Sequence, residues 1–215
     1  MNVRQHKLIE TYAMKQMSKL GLHGWPHVKR VLRIALQLAE TVEGVDHDVV
    51  EAAALLHDIA KHHERDGSTI DHGKLSAEMA ERLLISAGFS QDKIEAIRHA
   101  IRVHTHVKKP NSIEAKILCD ADFLDKMGTV GVATFFIRAC LTDTTIEEAL
   151  ESWKKASKES YVGLHALWLQ KPHFYTQTAK NIAEKRNRIV YAFFKQLENE
   201  IQLKDTLKNA RELSS

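Results

Sequence analysis

The sequence predicts an all-α protein, and two observations support this fold class. Only nine glycines and three prolines occur among the 215 residues, so the chain contains few of the turns that short strands require. Apolar residues recur at spacings of three and four, which is the repeat of a helix with one buried face, and strict apolar–polar alternation is rare. We therefore expect residues 1–215 to fold as a single-domain helical bundle.

The first three predicted helices place an apolar helix beside two others. The first covers residues 2–20, and the second covers residues 26–44, where a proline occupies the first turn and apolar residues follow at helical spacing. The third covers residues 49–62 and is capped by Asp46 or Asp48. Because this third helix is apolar nearly all round, we expect it to lie in the middle of the bundle.

The later helices begin at polar caps and end near glycine or proline. The predicted ranges are 73–87, 90–107 and 113–127. After Thr129 the pattern gives three or four further helices, and the last of them covers residues 175–203. No internal repeat and no linker rich in glycine or serine separates these elements.

The composition excludes several classes of protein. A net charge of +3 is too small to indicate nucleic acid as the main partner, and no run of about 18 apolar residues predicts a membrane span. Cys119 and Cys140 have no CxxC spacing, which argues against a disulfide framework and favours a reducing compartment. Residues 1–10 lack the apolar stretch of a signal peptide. We therefore expect a cytoplasmic protein that binds neither membrane nor nucleic acid.

The adjacent pair His57-Asp58 falls in the helix that we expect to be most buried. An ionised carboxylate is costly to bury without a partner, and a divalent cation that also binds a neutral imidazole would supply one. Further ligands must come from other helices. Candidates are His27, at the start of the preceding helix, and Asp120, Asp122 and Asp125, in an apolar helix downstream. Two histidines and two aspartates suit Mn, Fe, Co, Ni or Zn better than Ca, although periodicity does not choose among the carboxylates.

The chain resembles the HD-domain superfamily, whose H…HD…D signature has counterparts at His27, His57-Asp58 and Asp122. The segments 55–61 and 72–78 are similar as well, and the resemblance covers about residues 20–140. Residues 175–188 also resemble the C-terminal helix of a bacterial subgroup of HD hydrolases.

This resemblance implies a fold, an activity and a ligand set. The fold is a helical bundle of the HD-domain type, with a metal-binding core over residues 20–140 and a helical C-terminal region over residues 141–215. The activity is metal-dependent phosphohydrolysis, commonly of nucleotides. The implied metal ligands are His27, His57, Asp58 and Asp122, with Asp120 as the alternative to Asp122.

Two further histidines form a candidate second metal site. His104 continues the apolar stripe of Ile97 and Ile101 and should point inward, and His72 precedes a helix N-terminus, where anions and ligands gather. Members of the superfamily that hold two ions place extra histidines at similar points, so Asp58 could bridge two ions. The alternative is that His104 is a hydrogen-bonded core residue and His72 a cap or a phosphate contact.

Basic and acidic residues near the pair complete the predicted site. Lys61 stands where family members that cleave nucleotides often have an acidic residue, and we expect it to neutralise phosphoryl oxygens in the transition state. The alternative is a solvated lysine that extends from the end of the helix into water. Arg65 and Lys126 are weaker candidates for the same role. Asp125 could orient a histidine ligand or act as a general acid or base. Asp58, Lys61 and Asp125 are thus the candidate catalytic residues.

Three functions are compatible with these residues. The first is hydrolysis of a phosphoanhydride or phosphoester in a small phosphorylated metabolite, most simply a nucleotide, with one or two metal ions. The second is a di-iron oxygenase, which requires His72 and His104 as ligands. The third is a non-catalytic module that senses a nucleotide. The helical C-terminal region is compatible with an oligomer.

Overall fold

The computed structural model of the chain describes residues 1–17, 21–63, 71–104, 109–158 and 174–205. Throughout these ranges the regular structure is helical and no strand occurs, so the all-α prediction is confirmed. The helices are α1 Val3–Met17, α2 Trp25–Ala39, α3 His47–Leu56, α4 His72–Ser86, α5 Gln91–Val103, α6 Ile113–Asp125, α7 Gly128–Leu141, α8 Ile146–Lys158 and α9 Gln177–Ile201, and a short 3₁₀ helix covers Lys61–His63. None of them is long and apolar enough to cross a membrane.

The chain divides into two compact units. The first unit contains residues 1–125 and 174–180, and the second contains residues 126–173 and 181–215. In the first unit α3 contacts α1, α2, α4, α5 and α6, and its residues from Ala52 to Leu56 are fully buried. The prediction of a central apolar helix is therefore confirmed, because the small alanine side chains of α3 let several helices pack around it.

The third helix is shorter than predicted. We expected it to continue to residue 62, but α3 ends at Leu56, so His57 and Asp58 lie in the turn that follows the helix. Beyond Leu56 the backbone changes to bonds that span three residues, such as the one from the Lys61 N–H to the Asp58 carbonyl, 2.8 Å. The Ala60 N–H donates instead to the hydroxyl of Ser76 on α4, 3.0 Å away. This bond removes a donor that would otherwise extend α3.

Two other helices also end earlier than the pattern suggests. The prediction for α2 continued to residue 44, but the helix stops at Ala39. The Leu38 carbonyl there accepts both the N–H of Thr41, at 3.0 Å, and the Thr41 hydroxyl, at 2.8 Å. The prediction for α5 continued to residue 107, but the helix ends at Val103 and His104 is its C-terminal cap. Residues 105–108 lie outside the described ranges.

A short segment late in the chain belongs to the first unit. Residues 174–180 lead into the first turn of α9, and Asp120 on α6 binds the residues just before that helix. Asp120 Oδ1 accepts the Tyr175 N–H at 2.9 Å, and Oδ2 accepts both the N–H and the hydroxyl of Thr176 at 2.8 Å. Burial raises the pKa of Asp120, although these bonds oppose the change. The carboxylate of Asp120 is therefore used to anchor this segment.

The second unit has its own apolar core, built from α7, α8 and the part of α9 after residue 180. Phe194 is fully buried, and its ring stacks on Trp153 with 4.6 Å between centroids and 10° between planes. Phe135 meets the same ring edge to face at 5.6 Å. These offset and edge contacts add to the stability that burial of the three aromatic rings provides.

Candidate metal centre

His27 is oriented by the start of α2. Pro26 occupies the first turn of that helix, which begins after Gly24, and the next side chain points into the first unit and is 2% exposed. The pKa of Asp125 is lowered, because hydrogen bonds from His27 and Arg30 outweigh the opposing effect of burial. The ionised Asp125 accepts the N–H of His27 Nδ1 at 2.7 Å. When the ring is neutral, the other ring nitrogen, Nε2, therefore faces the interior with a lone pair.

His57 presents a second lone pair to the same point. Its Nδ1 donates to the carbonyl of Ala54 at 2.9 Å, and complete burial lowers its pKa to about 4 because the imidazolium is poorly solvated there. A neutral ring with hydrogen on Nδ1 leaves Nε2 as an acceptor. His57 Nε2 lies 3.4 Å from His27 Nε2. When both rings are neutral, the two facing lone pairs repel each other at this distance, so the arrangement favours a cation between them.

Two carboxylates complete this group of donors. Asp58 Oδ2 lies 3.7 Å from Nε2 of both His27 and His57, and Asp122 Oδ1 lies 3.4 Å and 4.0 Å from the same two nitrogens. Burial opposes ionisation of Asp58, but the nearby histidines, His57 first, hold its pKa well below the ordinary value. With both rings neutral, the group therefore offers two imidazole nitrogens and at least the ionised carboxylate of Asp58.

The donor set fits a divalent transition metal. Atoms that bind one ion at about 2.0–2.2 Å lie roughly 3–4 Å from one another. The two histidine nitrogens lie 3.4 Å apart, and their separations from the aspartate oxygens run from 3.4 to 4.0 Å. The tautomers of His27 and His57 are fixed by partners on the far side of each ring, as is usual for metal-binding histidines. We call His27, His57, Asp58 and Asp122 the primary donor group.

A second group forms around the other oxygen of Asp58. Oδ1 lies 3.4 Å from Nε2 of His72 and 3.4 Å from Nε2 of His104. The His104 Nδ1 donates to the carbonyl of Ile101 at 2.6 Å, so its Nε2 also faces Asp58 with a lone pair when the ring is neutral. Both histidines are buried, at 9% and 2% exposure, and the inward direction predicted for His104 matches this position. We call His72 and His104 the secondary donor group.

The remaining predicted site residues lie in different places. Asp125 contacts the outer nitrogen of His27, not the face that meets the primary donor group. Lys61 is half-buried and begins the 3₁₀ helix three residues after Asp58. Arg65 lies outside the described residues, and Lys126 is the first residue of the second unit. Their roles toward a substrate stay predictions.

Two residues near the primary donor group were not singled out by the sequence pattern. A ring nitrogen of His23 lies within 4.8 Å of donor atoms of His27 and Asp58, and the rings of His23 and His27 meet edge to face at 5.8 Å. The spacing of four residues before His27 could have indicated it. Arg30 contacts Asp125, and its spacing of three residues after His27 is the corresponding signal.

Comparison with known proteins places this arrangement in a family. The family model of the HD domain matches residues 24–127. Over 185 residues the chain is 31% identical to YpgQ of Bacillus subtilis, and the match covers 83% of this chain and 84% of YpgQ. The chain belongs to the HD-domain superfamily.

Solved structures agree with the HD-domain assignment. The crystal structure of Bacillus subtilis YpgQ in complex with ADP matches with a TM-score of 0.70 at 27% identity, covering 92% of this chain and 95% of that one. A predicted HD superfamily hydrolase from an uncultured Thermotogales bacterium matches with a TM-score of 0.66 at 28% identity, covering 90% and 91%. The chain therefore has the fold of the HD-domain hydrolases, and its His and Asp clusters could hold a metal ion.

Proposed function

We propose that this HD-domain protein is a metal-dependent phosphohydrolase that cleaves a phosphoanhydride or phosphoester bond of a small phosphorylated metabolite. The observation that carries the proposal is the primary donor group, in which four side chains from α2, α6 and the turn after α3 meet at 3.4–4.0 Å. A group of this composition holds Mn, Fe, Co, Ni or Zn. Such an ion, when bound, supplies Lewis-acid chemistry that promotes attack of water on phosphorus.

The protein's own residues supply position and charge. Asp58 and Asp122 fix the donor geometry from two elements, and Asp58 reaches both donor groups because its two oxygens face opposite sides. Lys61 follows in the adjacent turn, where an ammonium can neutralise phosphoryl oxygens as negative charge builds up on them. His72 stands at the N-terminus of α4, which also favours an anion. Arg65 and Lys126 are proposed as further phosphate contacts.

A nucleotide is the substrate class that we favour. The support is the YpgQ structure, which was obtained in complex with ADP, together with the 31% identity between YpgQ and this chain. A nucleoside diphosphate or triphosphate offers phosphoanhydride oxygens to both a cation and a lysine. We place the reaction in the cytoplasm, because Cys119 and Cys140, the two cysteines of the chain, are not joined in a disulfide.

The secondary donor group allows two states that metal stoichiometry distinguishes. In one, His72, His104 and Asp58 Oδ1 would hold a second ion, and Asp58 would then serve both donor groups. In the other, the two rings donate to a phosphate. A di-iron oxygenase requires the first state with iron in both groups, and iron-dependent oxygen consumption would favour it over hydrolysis. Metal analysis of the purified protein therefore bears on both functions.

The direct test measures release of phosphate and of pyrophosphate from nucleoside mono-, di- and triphosphates, with Mn, Co, Ni or Mg added in turn. We expect metal-dependent release that Asp58→Asn abolishes. Asp92→Asn is the matched control, because Asp92 is exposed on α5 and should leave turnover unchanged. Nucleotide binding with no turnover under any metal would instead indicate a sensing module and overturn the proposal.

A further inference from the structure

Arg30 reaches the primary donor group through one intermediate side chain. It lies on α2, one turn after His27, and its side chain is 38% exposed, whereas Asp125 on α6 is buried. Arg30 Nε donates to Asp125 Oδ1 at 2.6 Å, and its Nη2 donates to Oδ2 at 2.9 Å. This is the two-pronged pairing that the planar guanidinium makes with a carboxylate.

The same carboxylate holds His27. Asp125 Oδ2 accepts from His27 Nδ1 at 2.7 Å as well as from Arg30, so the three side chains form a continuous chain of hydrogen bonds. The plane of the carboxylate is fixed by two bonds from one guanidinium. The direction of the His27 ring is fixed in turn by that carboxylate, and the opposite nitrogen of the ring faces His57, Asp58 and Asp122.

We infer that Arg30 is a positioning residue for the metal centre, which acts through Asp125 to hold the His27 ring in its ligand orientation. This inference rests on the proposed metal binding. It assigns Asp125 an orienting role, since both of its oxygens are occupied on the side of His27 that faces away from the primary donor group. Histidine ligands depend on such partners, and loss of a partner weakens metal binding by about 10–100-fold.

The direction in which cation affinity changes when Arg30 is replaced distinguishes a positioning role from a purely electrostatic one. Removing a positive charge near a cation site should tighten cation binding if electrostatics alone acts. Loss of the two hydrogen bonds from Arg30 to Asp125 should instead weaken cation binding, because the His27 ring then loses its fixed direction. We expect Arg30→Gln to raise the dissociation constant for Co²⁺ about 3–30-fold. This lies at or below the range of about 10–100-fold for loss of the direct partner of a histidine ligand, because Arg30 acts one side chain further away. Arg33→Gln removes the same charge from an exposed position of α2 and is the matched control, with binding unchanged or slightly tighter.

Arg30→Lys tests the geometry of the paired guanidinium–carboxylate bonds separately from the charge. A lysine keeps the charge but presents a single point donor, so it cannot make both bonds to Asp125 at once. Positioning predicts weakened Co²⁺ binding in this variant, close to that of Arg30→Gln. A role of charge alone predicts binding like that of the unaltered protein.

A double-mutant cycle with Asp125→Asn decides whether Arg30 acts through the carboxylate. Co²⁺ is titrated into the metal-free full chain and its visible absorption, which reports coordination geometry, is recorded for each single variant and for the pair. We expect Arg30→Gln to add no further loss in the Asp125→Asn background. Equal losses in both backgrounds would overturn the inference, and so would unaltered Co²⁺ affinity and spectrum in Arg30→Gln.

The outcomes also separate this inference from the proposed function. If the unaltered chain binds no transition metal, the proposed function is wrong, and the inference, which rests on it, is wrong as well. If it binds Co²⁺ and Arg30→Gln behaves like Arg33→Gln, only the inference fails. Melting of each metal-free variant identifies loss of fold, because an Arg30 variant that unfolds earlier yet keeps the Co²⁺ affinity and spectrum has lost stability alone and contradicts positioning.

Discussion

Replacing Ser76 by alanine would test how α4 shapes the turn that carries His57 and Asp58. Ser76 is fully buried, and its hydroxyl oxygen accepts the N–H of Ala60 at 3.0 Å. Without that oxygen the Ala60 N–H stays buried and loses its acceptor. Serine and alanine differ by one oxygen atom, so the substitution removes the bond and leaves almost no cavity.

The expected loss follows from the cost of a buried donor that has no acceptor, about 1–3 kcal/mol. In a chain of this size each kcal/mol lowers the melting temperature by roughly 2–4 °C, so Ser76→Ala should melt about 2–12 °C earlier. The measurement is thermal unfolding of the metal-free protein followed by circular dichroism. Metal binding should weaken too, since the released amide lets the turn after α3 relax toward a longer helix.

Ser86→Ala is the matched control on the same helix. The Ser86 hydroxyl bonds to the Leu83 carbonyl at 2.8 Å on the exposed side of α4, where water can replace it. We expect a change within about 0.5 kcal/mol, as is usual for surface substitutions. If Ser76→Ala melts no earlier than Ser86→Ala, the Ala60 bond does not stabilise the turn and the explanation for the early end of α3 is wrong.

Three other predictions address separate parts of the molecule. Thr176→Val removes the hydroxyl that donates to Asp120 and should cost about 1–2 kcal/mol by denaturant unfolding, whereas Thr176→Ser should retain most of the stability. Phe194→Ala should destabilise the second unit by about 3–5 kcal/mol, with Phe193→Ala, which is 42% exposed, as the milder control; equal losses would contradict the assigned core. His57 keeps a pKa of about 4 against an ordinary 6.5, so between these values the unfolded chain binds a proton that the folded chain does not. The metal-free protein should therefore lose stability as the pH falls from 6.5 toward 4. His57→Gln should reduce the fall in melting temperature over this pH range, and an equal fall in the variant would show that His57 is not its cause.

The features that sequence predicted well depend on local repeats. The spacing of apolar residues reports which face of a helix is buried, and this located α3 at the centre and pointed His104 inward. The resemblance to the HD-domain signature, and not a local repeat, selected His27, His57, Asp58 and Asp122, and the structure brings a donor atom of each within 4.0 Å of a neighbouring donor. A carboxylate in an apolar helix needs a partner, whichever residue or ion that partner is.

The features that sequence missed depend on partners far along the chain. Ser76 lies 16 residues after Ala60, and the pattern around α3 carries no sign of the bond that shortens it. The carboxylate of Asp125 meets Arg30 across 95 residues. Asp120 looked like an alternative to Asp122, yet its oxygens accept donors from a segment 55 and 56 residues later. Periodicity indicates that such a carboxylate is buried but cannot name what satisfies it.

The anchoring of α9 by Asp120 sets an order for biosynthesis. A ribosome finishes α6 about fifty residues before the amides of Tyr175 and Thr176 exist. Until those residues emerge, burial of α6 would leave Asp120 without its three donors, so the nascent helix has to keep this side chain in water or protonated. A fragment that stops at residue 140 holds every predicted metal ligand and still lacks these donors. Translation past residue 180 therefore completes the first unit, well after its last candidate ligand has been synthesised.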